Sequence, residues 1–501
     1  MFYLGNIIIY KNIYLDFLFF KQIICLDNIY KLYLQLKFKL CQTMYYERII
    51  DTYLSEWASR SDHKPVLLRG ARQVGKSTAV RHLGACFKTY VEINFEKQPE
   101  YKVLFQDNLD VTRIVSQISA ISGKAIKAGE TLLFLDEIQM CREAIMSLRF
   151  FKEDMPDLHV IAAGSLLEFA LEELPTFGVG RIHSIFMHPM TFDEFLKANG
   201  EDILLNFRNK ASQFEPLSKP LHDKLIQHLR TYMLVGGMPE VVAKWVDTHD
   251  YLQCQEVQDD IIISYEDDFP KYRKKVDPML LCQTMRSAAV QMSKKFVYSQ
   301  VGDYKTEAVK KALEMLILAG LLIPVTSTNA NGLPLGSEAD NSYRKILLLD
   351  PGLMLRLLSM ELGNITSITS QILTANATDL INKGPMAELV AGLEILRYQT
   401  PNMRHELFYW TRQSKNSQAE VDYITGHIQG VLPIEIKAGT QGGMKSLWMF
   451  MRDKKLTKAV RCSLENFGSL DYNDNETNTT KRLYICPLYA VSMIPTIVQN
   501  E

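Results

Sequence analysis

The sequence predicts an α/β protein whose N-terminal domain is built on a parallel sheet, and three segments support this class. Residues 65–83 combine a short apolar run, a loop with glycine at both ends and a helical pattern. Residues 131–137 are an apolar run that ends in two carboxylates, and His159–Ala163 is a third apolar run, followed by Gly-Ser. Continuous apolar runs are typical of strands buried on both faces of a parallel sheet. The length of 501 residues suggests about three domains of about 150 residues.

Composition and charge exclude several classes of protein. The chain has 56 Lys and Arg against 57 Asp and Glu, so its formal net charge of -1 provides no global field for nucleic acids or anionic membranes. With 47% hydrophobic and 23% charged residues, it is typical of globular domains rather than of disordered or fibrous chains. Its eight cysteines are scattered without a CxxC pair, which indicates reduced thiols and a cytoplasmic protein.

Residues 1–43 differ from the rest of the chain, because Ile, Leu, Phe, Tyr, Lys and Asn supply 33 of these 43 residues. Charged side chains at positions 11, 16, 21 and 27 interrupt the apolar runs before they reach the roughly 18 residues of a membrane span. A signal peptide is not expected either, because the basic start and the small-residue cleavage site are missing. Since the dominant residue types are largely those of A/T-rich codons, we expect a non-native extension ahead of Met44. A genuine apolar helix is the alternative.

The segment PVLLRGARQVGKSTAVRHL contains the pattern GxxxxGK[ST], with Gly70, Gly75, Lys76 and Ser77 at the defined positions. In such a loop, backbone N–H groups wrap a polyphosphate, and the following helix points its positive dipole end at it. We therefore expect Lys76 to reach the β- and γ-phosphates and the Ser77 hydroxyl to bind Mg²⁺. The residues expected to bind the nucleotide and its metal are Gly70, Ala71, Arg72, Gln73, Val74, Gly75, Lys76, Ser77, Thr78 and Asp136.

The two other apolar runs end in side chains suited to nucleotide hydrolysis. Asp136 is expected to hold Mg²⁺, and Glu137 to orient and deprotonate the attacking water. Ser165, two residues after the third run, is expected either to touch the γ-phosphate or the attacking water, or to be a turn residue or helix cap. Both Asn-Lys pairs continue as NKAS and NKGP instead of the guanine-reading NKxD, so ATP is expected rather than GTP.

The motifs GARQVGKST, LFLDEIQ, AAGSLLE, GVGRIHSIFMHPMTFDEFL and LVGGMPEVV follow one another along the chain. They resemble the motifs of a family of prokaryotic AAA-type ATPases that carry a C-terminal domain of unknown function. The resemblance extends from about Met44 to the C-terminal region, and it implies a sensor 1 role for Ser165. Phe177-Gly178 stands where the family usually has proline. Arg181 is expected to act as an arginine finger or γ-phosphate sensor, within its own chain or in a homo-oligomer, or else to form a surface ion pair.

Residues 190–255 alternate apolar and charged positions at helical spacing, and they are expected to form the helical lid that follows the ATPase core. The turn Gly236-Gly237-Met238-Pro239 is interpreted either as a hinge near the nucleotide or as a plain interhelical turn. Six carboxylates between residues 256 and 268 are expected to form a solvated face.

From Pro278 the pattern changes to two helices and a hairpin, the arrangement of a winged helix. Residues 296–302 resemble the entry to a helix-turn-helix, residues 305–319 its second helix, and LLIPV and KILLLD the strands of the hairpin. A DNA-reading helix normally has a basic exposed face, but three lysines in residues 305–319 are offset by two glutamates. DNA contact and protein contact therefore stay open as alternatives.

A linker rich in Ser, Thr and Asn leads to a helix and then to three strand-like runs, LFYWTRQS, AEVDYIT and GVLPIEIKAG. Alternation along the third run places Glu435 and Lys437 on the same face. The arrangement resembles the core of PD-(D/E)xK nucleases. That resemblance implies that Asp422 and Glu435 bind Mg²⁺ and that Lys437 is the catalytic lysine. It also implies that Glu388 is the accessory acid, and Glu420 shares the strand face of Asp422.

Such a constellation can cleave nucleic acid, or it can persist in a domain that only binds DNA or a protein. Nearby basic residues are expected to meet phosphates: Arg397, Arg404, Arg412, Lys415 and Lys445. The predicted organisation is an ATPase core at 44–190, a helical lid at 191–275, a winged helix at 276–363, a linker at 364–379 and a restriction-endonuclease-like α/β domain at 380–495.

Overall fold

The structure is a computed structural model that describes residues 45–499 with several gaps. The gaps are residues 166, 173–179, 274, 363–383, 415–416, 429, 440–442 and 475–477. Three predicted features therefore lie outside the described residues: the atypical segment 1–43, the Phe177-Gly178 replacement and the Ser/Thr/Asn-rich linker. The described residues from Glu47 onward pack as one unit.

A five-stranded parallel sheet forms the N-terminal part of the structure, as the apolar runs predict. Its strands are β1 (Val66–Arg69), β2 (Thr89–Asn94), β3 (Thr131–Asp136), β4 (His159–Ala163) and β5 (His183–Phe186). They lie in the order β2-β3-β4-β1-β5, and all neighbouring pairs are parallel. β3 and β4 are buried along their whole length because they are central strands. The segments that follow β1, β3 and β4 therefore meet at one edge of the sheet.

Helices surround this sheet. They are α1 (Ile49–Ser59), α2 (Lys76–Gly84), α3 (Val103–Gln106), α4 (Val111–Ser122), α5 (Arg142–Asp154) and α6 (Leu167–Glu172). α4 illustrates how the sequence determines a helix. The Asp110 side chain accepts two backbone N–H groups of the first turn, Ile114 and Ile118 bury the apolar face, and Gly123 ends the helix at a φ of 67°.

Five helices follow the parallel sheet, as the helical spacing of residues 190–255 predicts. They are α7 (Phe192–Ala198), α8 (Asp202–Lys210), α9 (Lys219–Val235), α10 (Pro239–Thr248) and α11 (Tyr251–Asp268). Gly237, between α9 and α10, donates its N–H to Asp350 Oδ2 at 2.6 Å and accepts the Met190 N–H at 2.6 Å. A Cβ at Gly237 would lie 2.1 Å from the backbone oxygen of Met190, so this turn requires glycine and is held on both sides.

The acidic segment on α11 differs from the predicted solvated face. At least three of its carboxylates form ion pairs: Asp268 with Arg72 and Lys271, Asp259 with Arg356, and Glu266 with Arg286. The prediction was wrong for Asp268, which is buried because α11 packs against the phosphate loop, whereas Asp259 and Glu266 are paired but partly exposed.

The rest of the chain forms the predicted pair of helices and hairpin, and then a second α/β region. The first group is α12 (Pro278–Val290), α13 (Thr306–Leu318), β6 (Leu322–Thr328), β7 (Ala339–Leu348) and α14 (Pro351–Leu362). The second group is α15 (Gly384–Arg397), β8 (Leu407–Ser414), β9 (Ser417–His427), β10 (Gly430–Ile436), α16 (Lys445–Asp453), β11 (Lys458–Ser463), β12 (Gly468–Asp474), β13 (Thr479–Pro487) and α17 (Ile494–Gln499).

The β6–β7 hairpin is part of the sheet of the C-terminal region rather than a separate wing. The eight strands lie in the order β12-β13-β11-β10-β9-β8-β6-β7. β6 and β7 are antiparallel, and β6 pairs in parallel with β8 through residues 325–327 and 407–409. The predicted boundary between a winged helix and a C-terminal domain therefore runs through a single sheet. β6 pairs with β8 because an unpaired strand edge would leave its backbone N–H and C=O groups without partners.

Within the described residues, no helix is long and apolar enough to cross a membrane. Six of the cysteines lie in this part of the chain, and all six are free thiols. Cys25 and Cys41 lie outside it.

Candidate nucleotide site and acidic cluster

The phosphate loop (residues 70–75) connects the end of β1 to the first turn of α2. Gly70 and Gly75 have φ values of 137° and 98°, in the region that favours glycine. A Cβ at Gly70 would lie 2.1 Å from the backbone oxygen of Met187, so no larger residue fits without a shift of the backbone. Of the other residues predicted here, Ala71 and Val74 are buried and Thr78 is exposed.

The Lys76 ammonium group lies inside the phosphate loop. Lys76 is buried, and its Nζ donates to the backbone oxygens of Gly70 at 2.8 Å and Ala71 at 2.7 Å. Burial lowers the pKa of Lys76 to about 8, although the charges of Glu137 and Asp136 oppose the shift. The predicted phosphate-binding lysine is thus held in the turn where the phosphates are expected.

Ser77 and Asp136 come together beside the loop, as predicted. The Ser77 hydroxyl is 3.1 Å from Asp136 Oδ1, and Asn94 donates its Nδ2 to Asp136 Oδ2 at 3.0 Å. Burial raises the pKa of Asp136, and the charge of Glu137 adds to that shift. Hydroxyl and carboxylate oxygens this close fit a Mg²⁺ ion. Asn94 belongs to no motif, and its place at the end of β2 is the signal that would identify it.

Glu137 and Ser165 meet at the same edge of the sheet. Glu137 follows β3 with a φ of 49°, and its Oε2 accepts the Ser165 hydroxyl at 3.3 Å. Gln139 donates its Nε2 to the same oxygen at 2.5 Å. Adjacent parallel strands end side by side, so β3 and β4 bring the two predicted residues into contact. Gln139 is the last residue of the motif LFLDEIQ, from which no role was predicted for it.

Two residues expected to bind the nucleotide direct their side chains elsewhere. Arg72 Nη1 lies 2.7 and 2.6 Å from the carboxylate oxygens of Asp268 on α11. Gln73 donates its Nε2 to Ser264 Oγ at 3.2 Å, and the Tyr265 hydroxyl donates to the Arg72 oxygen at 3.0 Å. The backbone of Arg72 and Gln73 can still serve a nucleotide, but their side chains join the loop to α11.

Arg181 forms the surface ion pair that was one of its predicted alternatives. Its guanidinium is paired with Glu153 near the end of α5, and its side chain is 53% exposed. Arg181 precedes β5, so it lies at the edge where the parallel strands begin, opposite the phosphate loop. A role at the nucleotide of its own chain does not agree with this placement.

A cavity of about 280 Å³ lies beside the phosphate loop. Its lining includes Gly70 and Ser165 of the N-terminal part and Gly320 and Arg404 of later parts. Gly320, just after α13, packs on the loop, since a Cβ there would lie 3.4 Å from Ala71 N. The turn that joins α13 to the β6–β7 hairpin thus contacts the phosphate loop.

A second group of charged side chains lies on the eight-stranded sheet. Lys437 Nζ is 2.5 Å from Glu435 Oε1, so the two residues share a face as predicted. Asp422 lies on β9, which is antiparallel to β10, and its Oδ2 accepts the Ile436 N–H at 2.7 Å. The two strands therefore bring Asp422, Glu435 and Lys437 together.

Lys345, on β7, completes this acidic cluster, although no motif predicts it. Its Nζ lies 2.5 Å from Glu420 Oε1, 3.4 Å from Glu388 Oε2 and 4.0 Å from Asp422 Oδ1. Lys345 is only 2% exposed. No spacing pattern links it to the acids, because it comes from the hairpin. Its local signal is a lysine at the start of an apolar run.

Burial shifts the pKa values of the side chains in the acidic cluster. It raises the pKa of Glu388 and of Glu435 to about 7, and in both cases the charge of Asp422 is the next largest cause. Burial also raises the pKa of Asp422. Burial alone would lower the pKa of Lys345, but the charges of Glu388, Asp422 and Glu420 raise it. Such shifts are common at functional sites.

The cluster offers a divalent cation two carboxylates. Glu435 is 5% exposed, and its Oε2 accepts no hydrogen bond from the described residues. A buried, unpaired carboxylate oxygen near Asp422 is suited to a cation. Across the described part of the chain, no three His, Cys, Asp or Glu side chains form a metal-binding group. A divalent cation here would have only Asp422 and Glu435 as carboxylate ligands, and water would have to supply the others.

One of the basic residues expected to meet phosphates is instead a structural residue. Arg397 is buried, and it donates to the backbone oxygens of Met190 at 3.0 Å and Leu349 at 2.7 Å. That prediction was wrong because α15 packs its C-terminal turn into the interior. Of the other four, Arg404, Arg412 and Lys445 are solvent-accessible, and Lys415 lies outside the described residues.

Three family models match successive parts of the chain. An AAA domain matches residues 62–196, which contain the phosphate loop, Asp136, Glu137 and Ser165. Two domains of unknown function match residues 226–363 (DUF8612) and 383–488 (DUF4143). No curated protein matches the chain.

The solved structures that match this chain are distant. The Walker-type ATPase PABY2304 of Pyrococcus abyssi is 15% identical, with a TM-score of 0.40, covering 63% of this chain and 97% of that one. The Aeropyrum pernix Orc1 protein, solved in complex with DNA, is 11% identical, with a TM-score of 0.28, covering 64% and 94%. At such scores neither supports an inference about this chain. The AAA-domain match and the parallel sheet with its phosphate loop agree: residues 62–196 form a P-loop nucleotide-binding core that is similar to AAA domains.

Proposed function

We propose that the protein is a Mg²⁺-dependent ATPase in which Glu137 activates the attacking water. The observation that carries this proposal is the contact of Glu137 with Ser165 beside the Ser77–Asp136 pair. The Glu137 carboxylate can accept a proton from water, and Ser165 holds it in place. Sensor 1 is the role we propose for Ser165, because it contacts Glu137 and lines the cavity beside the phosphate loop.

Ser77 and Asp136 would hold the Mg²⁺ ion, and Lys76 would bind the β- and γ-phosphates. When bound, Mg²⁺ neutralises charge that develops on the phosphates. The Lys76 ammonium is held at the loop by the backbone oxygens of Gly70 and Ala71, so it needs little movement to bind phosphate.

ATP affinity is expected to fall above pH 8. Burial lowers the pKa of Lys76 to about 8, so the ammonium form predominates below this pH and is lost above it. We expect the dissociation constant of ATP to rise about tenfold between pH 7 and pH 9, measured with a fluorescent ATP analogue. Lys76→Ala should bind no nucleotide at any pH. Equal affinity of the parent protein at pH 7 and pH 9 would contradict this role of Lys76.

We further propose that the acidic cluster hydrolyses phosphodiester bonds of nucleic acid and that the ATPase controls it. Asp422 and Glu435 would hold the divalent cation, and Lys437, beside Glu435, would orient the hydrolytic water. The unpaired, buried Glu435 Oε2 supports the cation site. The packing of Gly320 on the phosphate loop supports the coupling, because α13 continues into the hairpin that carries Lys345.

The second candidate function is a nucleotide-gated regulator whose C-terminal region binds a protein without cleavage. It is favoured by the ion pairs of Lys345 with Glu420 and of Lys437 with Glu435. A cluster in which lysines compensate the acids can be stable without a metal ion.

A nuclease assay separates the two candidates. The parent protein is expected to cut DNA or RNA with Mg²⁺ and not with a chelator, and Asp422→Ala should lower the rate at least about 100-fold because a metal ligand is lost. Asp471→Asn is the matched control, since Asp471 is half exposed on β12 of the same sheet. If no single- or double-stranded DNA or RNA is cut in an Asp422-dependent way, the regulator is favoured.

For the middle region, residues 276–363, we propose that it binds either DNA or a protein. The helices α12 and α13 with the hairpin suit either DNA or a protein, and the pairing of Glu314 with Arg344 reduces the positive charge there. A homo-oligomer in the cytoplasm remains the proposed setting, in which Arg181 would serve a neighbouring subunit. The mass in solution with and without ATP tests this assembly.

A further inference from the structure

The position of Lys345 in the acidic cluster suggests a role in controlling metal binding. Its ammonium group contacts Glu420 and Glu388, and it lies 4.0 Å from Asp422, one of the two proposed metal ligands. Lys345 does not belong to the strands or helix that carry the four acids. It comes from β7, in the part of the chain matched by a different family model.

The charges of the cluster limit what it can bind at one time. Glu388, Glu420, Asp422 and Glu435 are balanced in part by Lys345 and Lys437. A divalent cation between Asp422 and Glu435 would lie close to the Lys345 ammonium. Two cations in a buried site repel each other strongly, since there is little water to screen them. The acids therefore attract either a metal ion or the lysine, and each weakens the binding of the other.

The hairpin that carries Lys345 has limited attachment to the acidic strands. β7 is the last strand of the sheet, and within the described part of the chain it is held on its outer side by a single bridge between Lys345 and Lys295. β6 joins the sheet through three residue pairs with β8. A small shift of this edge hairpin would move Lys345 away from the acids without disrupting β9 and β10, which carry Asp422 and Glu435.

We propose that Lys345 is a tethered cation that competes with the divalent metal ion for the acidic cluster. The metal ion binds fully only when the β6–β7 hairpin withdraws the lysine. This inference rests on the proposed metal site at Asp422 and Glu435, and it concerns the control of that site rather than the cleavage step.

Calorimetric titration of the full chain with Mn²⁺, without nucleotide, tests this competition. Binding at the cluster is defined as the binding that Asp422→Asn removes. Lys345→Met is expected to lower the dissociation constant of this site at least tenfold, because the competing charge is gone. Lys481→Met should change it less than twofold, since Lys481 is equally buried in the same sheet but pairs with Asp474.

The outcomes distinguish this inference from the proposed function. If a folded Lys345→Met protein binds Mn²⁺ no more tightly than the parent, the competition is excluded while the metal site stands. If neither protein shows binding that depends on Asp422, the metal site is excluded and the inference with it. Should Lys345→Met not fold, amide hydrogen exchange of the parent protein serves instead. Mn²⁺ should increase exchange in β7, and unchanged exchange on metal binding would overturn the inference.

Discussion

Replacement of Glu137 by Gln is expected to stop ATP hydrolysis while ATP binding is retained. Glutamine has the same shape and keeps a contact with Ser165, but it cannot accept a proton from the attacking water. General-base catalysis typically contributes about 10²–10⁴ in rate, so turnover should fall at least about 100-fold. Steady-state phosphate release measures turnover, and titration with a fluorescent ATP analogue measures binding.

The matched control is Glu130→Gln, just before the other end of the same strand. Glu130 is paired with Lys88 and its side chain is 43% exposed, far from the phosphate loop, so this variant should hydrolyse ATP at the parental rate. Hydrolysis at the parental rate by Glu137→Gln would show that the proposed mechanism is wrong. Loss of ATP binding in that variant would instead assign Glu137 a role in holding the nucleotide.

Replacement of Arg397 by Met is expected to lower the free energy of unfolding by about 3–5 kcal/mol, because it removes one partner of a buried charged network. Its guanidinium donates to Met190 O, to Leu349 O and to the Tyr232 hydroxyl at 2.6 Å. These groups lie before α7, after β7 and on α9. Without Arg397, three buried acceptors and the nearby Glu394 carboxylate lose a charged partner.

Urea denaturation of the parent and variant proteins measures this effect. The control is Arg404→Met, in the segment that follows α15, because Arg404 forms an exposed pair with Glu168. Exposed pairs contribute about 0–1 kcal/mol, so the control should change stability little. A cost below about 1 kcal/mol for Arg397→Met would contradict the structural role. Burial raises the pKa of Glu394 to about 8, so most of the Glu394 population is protonated at neutral pH, and the cost falls mainly on the three other acceptors.

The nucleotide site is largely predictable from the sequence because its residues lie in short motifs. The backbone turn at Gly70 and Gly75 is a local property of the chain. The meeting of Glu137 with Ser165 follows from two strands that the apolar runs identify, since parallel strands end at a common edge. The predicted run His159–Ala163 has the same bounds as β4, because a continuous apolar run marks a strand that is buried on both faces.

The partners of several charged residues could not be predicted in this way. Arg72 and Asp268 are 196 residues apart, and Arg397 and Met190 are 207 apart. No periodicity encodes such pairs, because each depends on how separate elements pack. The same reason explains why Arg397 resembles a surface residue in the sequence and why Asn94 belongs to no recognisable motif.

By itself, the sequence determined the chemistry available at each site: the phosphate loop, the carboxylates at the end of β3, and the acids and lysine of β9 and β10. These are local patterns in which neighbouring residues dictate strand, turn and side-chain direction. Only the tertiary structure decided that the β6–β7 hairpin joins the C-terminal sheet and places Lys345 among the acids. Strand pairing and the burial of opposite charges act between distant parts of the chain, and they place the Lys345 ammonium beside Glu388 and Glu420.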